Sequence, residues 1–489
     1  MSIRIENLTI HESARLLEGK KISSVELCKA YLERAKNLEP KVKAFLKLNE
    51  EEILSQAQAS DRRRAESKKL SPYDGIPVAV KDNITVKGQT CTCASKILQK
   101  VVSPYDATVI RKLKGKGFVL FGRTNMDEFA MGSSCENSAY QKTANPWNVG
   151  CVPGGSSGGS AASVAAGEVT AALGSDTGGS IRQPASLCGV VGFKPTYGRI
   201  SRYGLIAFAS SLDQIGPITR DVEDAAILTD VMYGRDSKDA TSLPDTNEKF
   251  SEGLDSLKDL KGIKIGLPKE CFEIEGLDTG VRKSMEKSIE VFKSLGAEMV
   301  QVSLPHSKYA VATYYVIATA EASANLARFD GIRYGNRVKA DSLLETYLET
   351  RGAGFGDEVK RRIILGTFVL SSGYYDAYYT KGQKVRTLIR RDFQEAYKKC
   401  DVILTPVSPT TAFKFGEKSD PLQMYLADIF TISTNLAGNC GISVPADIHA
   451  NGLPVGLQLV GPDMGEKQLL RISHIFEKNR AIKEFIPGI

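Results

Sequence analysis

From about residue 75 onward, short apolar runs alternate with helical segments, and that alternation narrows the chain to one architectural class. The runs Ile76–Val80, Phe118–Phe121, Val169–Leu173, Ile263–Leu267, Val402–Leu404 and Val455–Val460 are too brief for helices, and most are bounded by Gly, Pro or charged residues. Between them, Ala107–Gly115, Ser157–Ala166, Asp221–Tyr233, Thr279–Leu295 and Lys467–Lys478 read as helical. Strands that alternate with helices bury a sheet between helix layers, so the reading is an α/β protein. The first 70 residues read as helices instead. Thr9 with Glu12, and Ser23 with Glu26, make the Ser/Thr-x-x-Glu box that opens a helix, and Gly19 closes the first one. Leu27, Tyr31, Leu32, Ala35 and Leu38 give the second an apolar stripe, and Glu51–Ser67 continues as a charged surface helix. Residues 235–260 are polar and read as a long connection between two lobes.

Composition excludes several classes. A chain of 489 residues buries a large core without crosslinks. Its 64 basic and 57 acidic residues leave a net +7, too small an excess at this length to mark a nucleic-acid surface. Arg62-Arg63-Arg64 reads as a solvated helix face. The nine cysteines include one close pair, Cys91-Thr92-Cys93, with no second pair at zinc-finger spacing. They read as free thiols in a reducing cytosol. The opening Met-Ser-Ile-Arg-Ile-Glu lacks the apolar run of a signal peptide. No uncharged apolar stretch reaches the ~18 residues of a membrane span. Tyr309–Ala320 comes nearest before Glu321 stops it, so the expectation is a soluble, cytoplasmic protein.

Chemistry concentrates in residues 153–182, where Gly154-Gly155-Ser156-Ser157-Gly158-Gly159-Ser160 is followed by Asp176-Thr177-Gly178-Gly179-Ser180. A flexible linker has no reason to carry Ala161, Ala162, Val164 and the strand-like Val169–Leu173. A Walker loop requires a lysine before its Ser/Thr, and none stands here. An acyl-transfer site fits better, because glycines let backbone N–H groups close on a reacting carbonyl beside a serine. A serine nucleophile needs a base, and the nearest histidines in sequence, His11 and His306, are more than a hundred residues away. Lys81, at the end of the apolar run Ile76–Val80, is the alternative; buried, it loses enough basicity to act as a neutral amine.

Taken together, Lys81, the Gly154–Ser160 run, Asp176–Ala185 and Gly189–Gly204 resemble the amidase signature family. Within that family, Gly122–Ser134, Arg328–Gly335, Glu358–Ile363 and Leu370–Tyr379 are most similar to the branch that forms A subunits of tRNA-dependent amidotransferases. The likeness runs over about residues 5–480. It implies a large mixed β-sheet sandwiched between helix layers, in one domain over 1–489. A helical segment (1–70), a core with the catalytic residues (71–235) and the remainder of the sheet with substrate-binding helices (261–489) make up that domain. It further implies Ser180 as nucleophile, Ser156 as bridging serine on a cis Gly155–Ser156 peptide, and Lys81 as base. An oxyanion hole is implied at Thr177, Gly178, Gly179 and Ser180. Arg362 would hold the α-carboxylate of glutamine and Asp428 its α-ammonium, with Tyr314 nearby; a one-residue slip to Arg361 stays open, as does a purely structural arginine and aspartate. The implied partners are a B subunit, which uses ATP and Mg²⁺ to amidate glutamyl-tRNA(Gln) or aspartyl-tRNA(Asn), and a small C subunit. No cofactor or metal is expected in this chain. The alternative is a stand-alone hydrolase of another small amide. Two departures from the pattern stand out: Asn439-Cys440 replaces Leu-Pro, and Cys135 replaces a threonine and is expected near the glutamine pocket, where it tunes affinity or makes the enzyme thiol-sensitive.

Overall fold

Strands with apolar side chains on both faces need cover above and below, and the chain supplies it with helices between successive strands. The computed structural model describes residues 4–489; the first three residues of the N-terminal run lie outside it. Eleven strands form one mixed sheet: β1 (Phe45–Lys47), β2 (Pro77–Lys81), β3 (Val119–Thr124), β4 (Ala171–Asp176), β5 (Val191–Lys194), β6 (Gln214–Thr219), β7 (Lys264–Pro268), β8 (Glu298–Val302), β9 (Val402–Pro406), β10 (Gly441–Ile448) and β11 (Pro454–Val460). Their order across the sheet is β1-β3-β2-β4-β6-β5-β10-β11-β9-β7-β8. Parallel blocks β3-β2-β4 and β9-β7-β8 flank an antiparallel centre. Because β5 pairs with β10, residues 71–235 and 261–489 build the same sheet.

All six strand readings are present, shifted by one to three residues at most ends. Five further strands carried no clear apolar run. β6 holds Gly216 and Pro217, which break the pattern of a central strand, yet a Cβ at Gly216 would collide with the Phe193 carbonyl of neighbouring β5. That close approach is what the glycine permits. Both N-terminal boxes form, at Thr9–Glu12 and Ser23–Glu26. Residues 235–260 do not separate two lobes: one continuous sheet crosses that division, and Phe250 and Leu254 anchor the connection in the core. The arginine cluster is corrected too. Arg63 pairs with buried Asp74, and Arg64 donates to the Pro72 and Asp74 carbonyls, so two of the three arginines tie their helix to the turn before β2. Among the described residues, no helix is long and apolar enough to cross a membrane.

A second apolar cluster lies to one side of the sheet, where helices Ala310–Leu326 and Asp357–Leu370 pack together. Phe208, Tyr314, Tyr315 and Phe355 belong to it. These helices stand over the chain leaving the end of β4, and that placement creates the site.

Candidate active site

Parallel neighbours β2 and β4 end side by side, so the polar residues at their carboxyl ends meet below the surface. Lys81 closes β2 and is 0% exposed. Its Nζ lies 2.8 Å from Ser156 Oγ, 2.8 Å from Ser157 Oγ, 2.9 Å from Ser175 Oγ and 3.2 Å from the Ser175 carbonyl. Burial lowers its pKa from 10.5 to about 7, against the opposing pull of Asp127 and Asp176. Ser157 donates its own hydroxyl proton to the Ser175 carbonyl at 3.1 Å, so it accepts from the amine. A neutral amine has two N–H bonds and one lone pair, which leaves the lone pair for Ser156 or Ser175.

Ser156 and Ser157 sit on the loop that enters the helix Gly158–Ala165, and the Gly155–Ser156 peptide is cis. A side chain at Gly155 would collide with Asp127 Oδ2, so the loop lies directly on that carboxylate. Asp127 holds the layer beneath: it accepts from the Cys135 and Asn137 amides at 2.9 and 3.1 Å, and its own N–H donates to the Ser156 carbonyl at 3.3 Å. Ser180 follows the turn after β4, and its carbonyl accepts the Ser157 amide at 3.2 Å. It is 8% exposed, the one member of the predicted trio that reaches solvent. Its hydroxyl makes no hydrogen bond among the described residues. Thus Lys81 and Ser156 are joined directly, while Ser180 is brought beside them through the backbone.

The turn carrying Thr177–Ser180 is held by buried charges. Asp176 accepts the Gly179 amide at 2.8 Å, the Ile181 amide at 3.1 Å and the Arg182 guanidinium at 3.1 Å. Desolvation works against it, but Arg182 keeps its pKa at about 2. Arg182 also reaches Asn435, Gln458 and the Thr431 carbonyl. Because the Gly179 N–H is committed to Asp176, the amides of Thr177, Gly178 and Ser180 are the ones left open among the described residues. Thr177 Oγ1 donates to buried Asp213 at 2.6 Å.

The predicted substrate residues gather over the same turn. A Cβ on Gly178 would lie 2.8 Å from Tyr314 Cζ, and one on Gly179 would lie 3.3 Å from Asp428 Oδ1. Asp428 is buried, Ser133 donates to its Oδ2, and Oδ1 has no partner. Burial, partly offset by Ser133, pushes its pKa up to about 7. Arg362 is buried and its Nε donates to Glu358 at 2.7 Å, while its guanidinium stacks on Tyr315, Phe208 and Tyr425 at 5.1, 5.6 and 5.6 Å. Arg361 points away, its side chain 49% exposed, so helix phase selects Arg362 for the interior. The arrangement is a weak base, a shielded serine pair and an accessible serine, faced by one cation and one orphan carboxylate.

Sequence reasoning did not single out Ser157, Ser175, Asp127, Ser133 or the Asp176–Arg182 pair. Ser175 carried a usable signal, a polar residue inside a buried strand next to the one that ends in Lys81. Cys135 is fully buried, packs against Gly158 and Thr143, and burial raises its thiol to about 12, which opposes the expected thiol sensitivity. Cys440 and Asn439 are likewise buried, the Asn439 amide donating to the Gly461 carbonyl at 3.1 Å.

Comparison with known proteins agrees with the geometry. The amidase family model matches residues 26–470. The A subunit of the glutamyl-tRNA(Gln) amidotransferase from Geotalea daltonii is 58% identical, over 96% of this chain and 97% of its own. The crystal structure of the A subunit of the Thermotoga maritima glutamyl-tRNA(Gln) amidotransferase superposes with a TM-score of 0.83 at 46% identity, covering 100% of this chain and 98% of that one. A bacterial aryl acylamidase of the amidase signature enzymes superposes with a TM-score of 0.85 at 25% identity, covering 98% and 97%.

Proposed function

We propose that this chain, which belongs to the amidase family, is the glutaminase subunit of a tRNA-dependent amidotransferase. The observation that carries the reading is the fully buried Lys81–Ser156 contact with Ser180 alongside, near a buried arginine and a carboxylate oxygen without a partner. Neutral Lys81 takes the Ser156 proton as Ser156 takes that of Ser180, and Ser180 Oγ attacks the side-chain amide carbon of glutamine. The oxyanion is met by the open amides of Thr177, Gly178 and Ser180, while Gly179 contributes shape. The proton returns through Ser156 to the leaving nitrogen, and ammonia departs. Water, deprotonated by the same route, then cleaves the γ-glutamyl ester to glutamate and regenerates Ser180.

Arg362 and Asp428 decide which amide is accepted. An α-carboxylate is drawn to the two terminal nitrogens of Arg362, and an α-ammonium supplies the donor that Asp428 Oδ1 lacks. Aryl and alkyl amides use neither group. In this reading the ammonia passes to a B subunit that amidates glutamyl-tRNA(Gln) or aspartyl-tRNA(Asn) in the cytoplasm, with a small C subunit completing a heterotrimer. ATP and Mg²⁺ act on the B subunit. The near-full-length identity to A subunits supports this, as do the exposed Ile364, Leu365, Phe368, Tyr374, Tyr375 and Tyr378, of which Phe368 packs against Tyr374 and Tyr378. Ser180→Ala is expected to abolish glutaminase activity; retained turnover removes Ser180 as nucleophile. Copurification of two further chains from native lysate is expected, and a lone chain active on amides other than glutamine would break the subunit reading.

A further inference from the structure

Helix Asp357–Leu370 carries Arg362, yet it begins at Gly356, a residue with no side chain to cap it. The missing partner comes from a distant segment. Glu128, 2% exposed and adjacent to Asp127, accepts the Gly356 amide on Oε2 at 2.8 Å and the Ser95 hydroxyl on Oε1. Ser95 also lies 3.2 Å from the Gly354 carbonyl, so the pair brackets the chain on both sides of Phe355. Phe129 packs edge-on against Phe355 with ring centroids 5.6 Å apart. A side chain at Gly356 would collide with Glu128 Oε2, and one at Gly354 would lie 2.9 Å from Ile97 Cβ. Both glycines admit this grip.

The same short segment reaches the catalytic loop. Asp127 donates its N–H to the Ser156 carbonyl and takes the Cys135 and Asn137 amides on its carboxylate. Asp127-Glu128-Phe129 is therefore a rigid bridge with the Ser156 loop at one end and the start of the Arg362 helix at the other. Arg362 lies in the second turn of that helix, where a shift at the first turn is carried to its guanidinium.

We propose that Glu128 is a positioning residue for glutamine: it fixes the start of the Asp357–Leu370 helix against the catalytic loop and thereby sets the distance between Arg362 and Ser180. The inference rests on the glutaminase reading above, since it gives Arg362 a substrate carboxylate to hold. Glu128 touches no reacting atom. Its effect falls on recognition of the α-carboxylate and spares the attack on the amide.

The test uses the full-length protein in the assembly that copurifies with it, assayed on glutamine and on butanamide, which has no α-substituents. Glu128→Ala is expected to raise KM for glutamine about tenfold while kcat stays within about threefold and butanamide kcat/KM within about twofold. Glu128→Gln keeps an acceptor for the Gly356 amide and is expected to restore the glutamine KM to within about threefold. Equal losses on both substrates, or an unchanged glutamine KM in Glu128→Ala, overturn the proposal. If Glu128→Ala does not fold, Ser95→Ala carries the test, with an expected KM rise of about threefold on glutamine alone; its absence is equally fatal. Arg362→Ala separates the two readings. An unchanged glutamine KM there breaks the glutaminase reading itself, whereas a raised KM beside an unaffected Glu128→Ala breaks only the inference about Glu128.

Discussion

Replacing Lys81 by methionine is expected to destroy activity and stabilise the protein. The buried amine has a pKa near 7 in place of 10.5, so holding it neutral and dry costs about 4 kcal/mol at pH 7. Methionine fills similar volume without that cost, but the variant loses the hydrogen bonds to Ser156, Ser157 and Ser175, worth about 1 kcal/mol each. The net gain at pH 7 is therefore about 1–2 kcal/mol. The pH dependence is a sharper signature. Between about pH 7 and 10.5 the unfolded chain binds a proton at Lys81 that the folded chain does not, so wild-type stability rises with pH across that window. Relative to Lys81→Met, the wild type should gain about 2 kcal/mol from pH 7 to pH 9. Urea unfolding followed at the single tryptophan, Trp147, measures this difference directly. In parallel, glutamine turnover should fall by about 10²–10⁴-fold, the usual contribution of a general base. If the wild type gains no stability relative to Lys81→Met over this range, the folded protein keeps Lys81 charged, and the proton path from Ser180 is lost.

Asp428→Asn should raise the glutamine KM by about 30–100-fold, since it removes a charged partner for the ammonium. Because Asp428 titrates near 7, the wild-type to variant ratio should widen as pH rises through 7 and narrow below it; a constant ratio refutes the assignment. Asp176→Asn leaves Arg182 buried without its counter-charge and should destabilise the fold by about 3–5 kcal/mol, read as a lowered melting temperature. The wild type holds the stabilisation from Asp176 above its unfolded value of 3.8 and loses it as pH falls toward about 2, so the variant should approach the wild type only in strong acid. All nine cysteines are buried and unpaired, so a thiol reagent should titrate none in the native protein and nine after denaturation. Fast labelling of Cys135 would contradict its position beneath Gly158.

The local chemistry of the site is legible in the sequence. Polar residues that break an apolar pattern stand out in sequence: Lys81 at the end of Ile76–Val80, and serines spaced by glycine over 154–180. Helix starts were equally plain, because a capping box closes within four residues. Strands such as β6 and β10 were not, since Gly216, Pro217 and Pro445 oppose local strand preference; β4 carries the first two, and Pro445 sits opposite Gly456 beside an irregularity in the β10–β11 pair.

What one-dimensional information determined by itself was the set of reacting groups and the α/β class, both written in short-range patterns of polarity. Tertiary structure alone decided which groups touch. Ser175 meets Lys81 because β2 and β4 run parallel, and Arg362 faces inward while Arg361 does not because its helix packs on Tyr315 and Phe208. It also spent the Gly179 amide on Asp176 and buried Cys135. Desolvation sets the basicity of Lys81 and Asp428, and it depends on what surrounds a side chain in space, which sequence neighbours do not specify.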